Sequence, residues 1–159
     1  MKNGVLSILL AVSIMTGCSR TGRLYPVQGP LSAQTPSPVF VAKLTGALNS
    51  GNVSVVLGSG EVAKGRWSVV PVPSAKGAAP ATAPENHGMP VVWDTVYGPG
   101  FYVSHVLGTR LHAQAVVSGD RGTILNVDMY KGEVEHAESA GIIKGVAKDN
   151  HDNIYKLVF

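Results

Sequence analysis

The chain of 159 residues has a single cysteine, Cys18, and few charges: Lys, Arg, Asp and Glu make up 14% of it and aromatic residues 6%. Each scarcity excludes something. One cysteine can form neither an internal disulfide nor a thiolate cluster for a metal. The longest apolar stretch, residues 5–15, is broken by Ser7 and Ser13 and falls short of the roughly 20 residues that a membrane-spanning helix needs. Thirteen basic residues stand against ten acidic ones with no run of Lys or Arg, which is not the footprint of a nucleic-acid binder. The sequence also lacks the GxSxG elbow, the Walker loop, GxGxxG and HExxH, so the common local signatures of hydrolases, nucleotide binders and zinc proteases are missing.

What remains is a turn-rich globular chain. Hydrophobic residues account for 45% of it, with 19 glycines and ten prolines, a composition that can bury a core and is not disordered. Its length suits one domain.

The N-terminus carries the most specific signal. Lys2 is the only charge before Arg20, the apolar stretch follows it, and Met15, Thr16 and Gly17 lead into Cys18. A positive start, a short apolar run and small residues before a cut form an export signal. The sequence from Met15 to Cys18 resembles the lipobox of bacterial lipoproteins, with Met15 where Leu is usual. The resemblance covers residues 1–18 and implies cleavage after Gly17 by signal peptidase II and a diacylglycerol on the Cys18 sulfur. Ser19, where proteins retained in the inner membrane often carry Asp, implies the outer membrane, facing the periplasm. A lipidated Cys18 leaves the mature domain with no thiol. The membrane is then the one partner the resemblance names, with an envelope protein or glycan as a further candidate.

Residues 18–38 contain Gly22, Gly29, Pro26, Pro30, Pro36 and Pro38 and read as the lipidated cysteine followed by a tether. Residues 39–159 read as a β domain. Val53, Val55 and Leu57 alternate, as do Ala63, Gly65, Trp67 and Val69, with Gly58-Ser59-Gly60 turning the chain between them. Residues 71–90, rich in Pro, Ala and Gly, form a long surface loop. Val91, Trp93 and Thr95 alternate with Val92, Asp94 and Val96, which predicts a strand, and residues 101–105 predict a short one. Leu111, Ala113, Ala115 and Val117 face one way, then Leu125, Val127 and Met129. Residues 140–148 and 154–159 form a final hairpin through the turn at 149–153, with Tyr155, Leu157 and Phe159 inward. No amphipathic helix is expected after residue 18. The fold class is all-β: an antiparallel sandwich or barrel of about eight strands. The chain also resembles small β-rich bacterial lipoproteins with no assigned activity.

Candidate chemistry is sparse. Ser74 and Lys76 form the only Ser-x-Lys, on the long loop, where a catalytic pair is not held rigidly. Ser139 and Lys144 have the wrong spacing. Of the five histidines, His87, His105, His112, His136 and His151, His105 and His112 could meet across strands. Glu133, Glu135, His136 and Glu138 form the densest group of potential ligands, and residues 149–153 look like a calcium loop without its central glycine and distant glutamate. Trp67 and Trp93 alternate with small apolar residues and suit a core better than a sugar-stacking platform. No catalytic residue, metal site or cofactor is assigned; the single site residue is Cys18. The function expected is a membrane-anchored, non-enzymatic β domain with a binding or envelope-structural role. A periplasmic enzyme with dispersed active-site residues and a metal-binding module are the alternatives.

Overall fold

Eight antiparallel strands close into a barrel in chain order: β1 (Ser19–Gln28), β2 (Phe40–Ala47), β3 (Ser50–Val56), β4 (Val62–Val69), β5 (His112–Gly119), β6 (Ile124–Lys131), β7 (Ile143–Asp149) and β8 (Ile154–Val158). Each strand pairs with the next, and β8 returns to β1 through pairs such as Leu24 with Leu157. The computed structural model describes residues 19–47, 49–71, 88–109, 111–132 and 142–159. The all-β expectation holds for the barrel.

The alternation of side chains explains the closure. Leu24, Ala42, Leu44, Val53, Val55, Ala63, Ala115, Val117, Leu125, Val127, Ala147 and Leu157 all point inward and are buried. Eight strands enclose a space that side chains just fill, and here small residues face large ones. Gly145 lets Met129 and Leu157 meet, since a side chain there would press on both. The outward positions of β1 to β4 carry Arg23, Lys43, Lys64 and Arg66, all exposed. Apolar inside and charged outside is the reverse of a barrel that faces lipid. Among the described residues no helix is long and apolar enough to cross a membrane.

Two expectations are corrected. Residues 19–28 are not a tether: they form β1, a stave of the barrel, with Gly22, Leu24 and Pro26 buried and Thr21, Arg23 and Tyr25 exposed. Pro26 sits where the β1–β8 register shifts, a place that tolerates its missing N–H. Residues 91–96 are not a strand: Met89–Tyr97 is a helix, α1, followed by a π-helical turn at Tyr102–Val106 in place of the second short strand. Pro90 occupies its first turn and Gly98, with φ 108°, stops it, the usual placing of these two residues at helix ends. The long loop therefore ends before Pro90; residues 72–87 lie outside the described residues.

The helix lies on the outside of β6, β7 and β8. Met89, Val92 and Trp93 pack with Val106 against Tyr130, Val146 and Ile154, forming a second core separate from the barrel interior. This is why β8 is apolar on both faces: Tyr155 and Leu157 enter the barrel, and Ile154 lies under the helix.

Candidate functional site

The two ends of the barrel differ. At one end lie the connections 29–39, 57–61, 120–123 and 150–153, and side chains tie them together. Glu61 accepts hydrogen bonds from the Arg121 and Thr123 amides, both at 3.1 Å, and from Thr123 Oγ1 at 2.7 Å. Asn150 accepts from the Ile124 amide at 3.0 Å and donates to the Gly122 carbonyl at 3.1 Å. Asn153 accepts from the Leu31 amide at 2.9 Å. Asp149 receives the His151 and Asn153 amides, Asn153 Nδ2 and, at 2.6 Å, the hydroxyl of Tyr155. Four turns are thus linked side by side, and Leu31 packs on the core beneath them.

The electrostatics follow from these bonds. The Thr123 hydroxyl, helped by the Thr123 and Arg121 amides, holds the Glu61 carboxyl below its ordinary value against the opposing effect of burial. Burial, with the Asp149 carboxylate beside it, pushes the Tyr155 hydroxyl far above the usual tyrosine range, so it remains a donor. The stretch 149–153 is a hairpin turn in which the Asp149 oxygens are occupied by its own chain.

Among the described residues the other end has a concave mouth. Leu44, Trp67, Val69, Leu111, Ala113, Met129, Lys131 and Ile143 line a mainly apolar mouth of about 140 Å³. That is close to the roughly 150 Å³ of a cavity that admits benzene, and well under the roughly 300–1,000 Å³ of a site for a drug-sized ligand. Trp67 is fixed there: its Nε1 donates to the Thr45 carbonyl at 3.0 Å. The indole passes over Gly51 of β3, where any side chain would collide with it. Trp67 is partly buried against the core, so it is neither a free platform nor a wholly interior residue.

Titratable groups converge at one more place, under α1. Asp128 points out of the barrel yet has no exposed surface. Its Oδ1 lies 2.7 Å from His112 Nε2 and accepts from Trp93 Nε1 at 3.1 Å; Oδ2 accepts from Gln114 Nε2 at 2.9 Å. A carboxylate that orients a histidine is part of a nucleophile-activating triad. The remaining part is missing, because no Ser or Thr hydroxyl among the described residues hydrogen-bonds His112. Three donors, Trp93, His112 and Gln114, occupy the carboxylate, which has no exposed surface for a substrate. The arrangement fastens a helix.

Above it runs a file of rings at every fourth residue. Trp93 stacks on Tyr97 at 5.4 Å, Tyr97 on Phe101 at 4.6 Å and Phe101 on His105 at 4.3 Å between centroids. His105 and His112 therefore do not meet as a pair: one stacks on Phe101 and the other is bound to Asp128. The Tyr97 hydroxyl is buried without a hydrogen-bond partner, and burial pushes it up to about 12. Trp93 lies in a core, as its surroundings in sequence suggest, but in the outer one.

Among the described residues no three His, Cys, Asp or Glu side chains are placed to hold a metal. Cys18, Ser74, Lys76, His87, Glu133, Glu135, His136, Glu138 and Ser139 lie outside the described residues. Comparison of the chain with protein-family models, curated proteins and solved structures found no match.

Proposed function

We infer that the chain is a lipid-anchored barrel of the bacterial envelope, carried on Cys18 at the outer membrane and acting by binding rather than by catalysis. One observation carries the anchored reading further: β1 starts at Ser19, paired with Thr45 beside the open mouth. A lipid on Cys18 would thus be attached directly to a stave of the barrel with no linker between them. Two or more acyl chains hold stably where one holds marginally, so a diacylglycerol on sulfur with a further chain on the new amino terminus suffices.

The binding reading is supported by how the acids are used. Glu61, Asp128 and Asp149 each take three or four hydrogen bonds from the chain itself. A general acid or base needs a free position within reach of a substrate, and these carboxylates have none. Among the described residues the apolar mouth is a concave surface suited to meet a partner.

Cys18→Ala tests the anchor. Wild-type protein made with radioactive palmitate should carry label and sediment with membranes; the variant should carry none and remain uncut or soluble. Equal labelling of the two ends this reading.

A further inference from the structure

We propose that the outer face of β1 to β4 is the docking surface for a linear acidic polysaccharide, whose anionic groups pair with Arg23, Lys43, Lys64 and Arg66. This face is separate from the mouth of the barrel and binds whether or not Cys18 carries lipid.

Charge marks the face. The four strands hold Arg20, Arg23, Lys43, Lys64 and Arg66 and not one Asp or Glu. Arg23, Lys43, Lys64 and Arg66 point out of the barrel, are exposed, and have no acid at ion-pair distance among the described residues. The outward lysines of β7 and β8 differ. They are half-buried, Lys148 is paired with Asp152 at 3.7 Å, and Lys156 lies over the Tyr97 ring at 5.2 Å. Like charges gathered on one sheet face repel, so an anion seated there relieves what the fold itself leaves uncompensated. Asp120, in the turn after β5, accepts from the Val62 amide at 3.3 Å and bounds the face at the closed end.

The strand register sets the spacing of the cations. Lys43 pairs with Ser54 and Ser54 with Lys64, so two lysines flank one hydroxyl across three strands. At about 4.8 Å between strands their Cα atoms stand roughly 10 Å apart. The next outward row runs Thr45, Asn52, Arg66. On β1, Thr21 pairs with Lys43 and Arg23 lies diagonal to it, opposite Val41. The cations are thus interleaved with Thr21, Thr45, Ser54 and Asn52, side chains that donate and accept hydrogen bonds.

That pattern selects the class of polyanion. An acidic polysaccharide spaces its charges with hydroxyl-bearing rings, as the face spaces its cations with hydroxyl and amide side chains. A single-stranded nucleic acid needs rings for its bases to stack on, and neither the Lys43–Ser54–Lys64 row nor the Thr45–Asn52–Arg66 row carries one. A folded protein partner would need a desolvated centre of aromatic and large apolar side chains, and these rows have none. The wall of a barrel is convex, a shape that a flexible chain can follow.

Heparin, a linear polysaccharide bearing carboxylates and sulfates, is the probe; dextran, polyglutamate and an oligothymidylate are the comparisons. The full-length protein in a neutral detergent is titrated with each, and with heparin at rising salt. Heparin should bind, dextran should not, and polyglutamate and oligothymidylate should bind more weakly than heparin. Lys43→Gln with Lys64→Gln should weaken heparin binding by roughly tenfold and make its salt dependence shallower, since ion pairing to a polyanion releases counterions. Both side chains are exposed, so the fold should be kept, and the melting temperature checks this. Lys43→Arg with Lys64→Arg keeps the charge and should keep the affinity. Lys144→Gln with Lys148→Gln removes the same charge from β7 and should change the affinity little. Absence of heparin binding overturns the docking surface, as does an unchanged affinity after Lys43→Gln with Lys64→Gln. Equal losses from the two glutamine pairs would mean attraction by net charge alone and overturn it too. Tighter binding of polyglutamate or oligothymidylate overturns the class of partner. Palmitate labelling of Cys18 does not enter these readings, so each of these failures leaves the anchor standing.

Discussion

Trp93 Nε1 donates to Asp128 Oδ1 across 3.1 Å, and through this bond the α-helix Met89–Tyr97 is fixed to the outside of the barrel. The bond joins residues 35 positions apart and is sealed from water on every side, because Asp128 has no exposed surface. A buried carboxylate is tolerable only when its oxygens are occupied, and His112 and Gln114 complete the set.

Asp128→Ala removes the acceptor shared by buried Trp93 and His112 and part-buried Gln114. Each buried donor left without its acceptor costs about 1–3 kcal/mol, a sizeable part of the roughly 5–15 kcal/mol that holds a domain together. Urea denaturation should show that loss, with the near-ultraviolet signal of Trp93 disappearing first. Asp128→Asn retains one oxygen and should lose less. A loss under about 1 kcal/mol for the alanine variant, within the range of an ordinary hydrogen bond, would mean that the helix is held by packing alone.

Much of the barrel was legible because its staves alternate. From Val53 to Val69, and again from Ala113 to Val127, a period of two separates a buried face from a more exposed one, and those strands lie where that period puts them. The two errors at α1 and β1 have physical causes. Val91, Val92, Thr95 and Val96 are β-branched and favour strands by propensity. The spacing of Met89, Val92, Trp93 and Val96 at i, i+3, i+4 and i+7, bracketed by Pro90 and Gly98, was the signal for a helix. In β1 the prolines and glycines masked a short alternation in which Gly22 is inward because the Phe159 ring occupies the space a side chain would need. Two expected strands, 91–96 and 101–105, are absent and one, β1, was not expected. Asp128 was legible as an outward residue, but not as a buried one: the helix that covers it comes from a distant stretch of chain. Cys18 was legible from its local sequence alone, and nothing in the barrel's periodicity bears on it.

Glu61 makes the closed end sensitive to acid. Its folded pKa lies below the ordinary 4.5, chiefly through the Thr123 hydroxyl. A depressed carboxyl stabilises the fold at any pH above its unfolded value and loses that contribution as pH falls through the folded value. Unfolding free energy measured in urea should therefore fall as pH drops below about 4.5. Thr123→Val, which keeps the amide donor and removes the hydroxyl, should flatten that fall. An unchanged slope in the variant would assign the acid sensitivity to other groups.

Tyr97→Phe is expected to be neutral or stabilising, although it removes a polar atom. The hydroxyl is buried with no partner, and an unsatisfied buried donor costs about 1–3 kcal/mol. Phenylalanine keeps the stacking between Trp93 and Phe101 without that cost. Thermal unfolding of the variant should show an equal or higher midpoint. A clear decrease would indicate that the Tyr97 hydroxyl has a partner in solution, such as an ordered water.

Removal of residues 154–159 should unfold the whole domain, although it touches no group with candidate chemistry. β8 pairs with β7 on one side and with β1 on the other, so its loss opens the barrel and leaves two unpaired strand edges. It also withdraws Tyr155 and Leu157 from the interior and Ile154 from the outer core. Burial of each large side chain is favourable by about 1.5–3 kcal/mol, and three such losses approach the lower part of the roughly 5–15 kcal/mol available to a domain. The lost hydrogen bond of Tyr155 to Asp149 adds to this, because the carboxylate then keeps its place at the closed end with one donor fewer. The exposed edges of β1 and β7 would also pair with other chains, since unpaired strand edges do so readily. The truncated protein should thus be digested by protease under conditions that leave the full-length domain intact, and should aggregate. A truncation as resistant as the full chain would show that seven strands close without the eighth, and that the β1–β8 seam is dispensable.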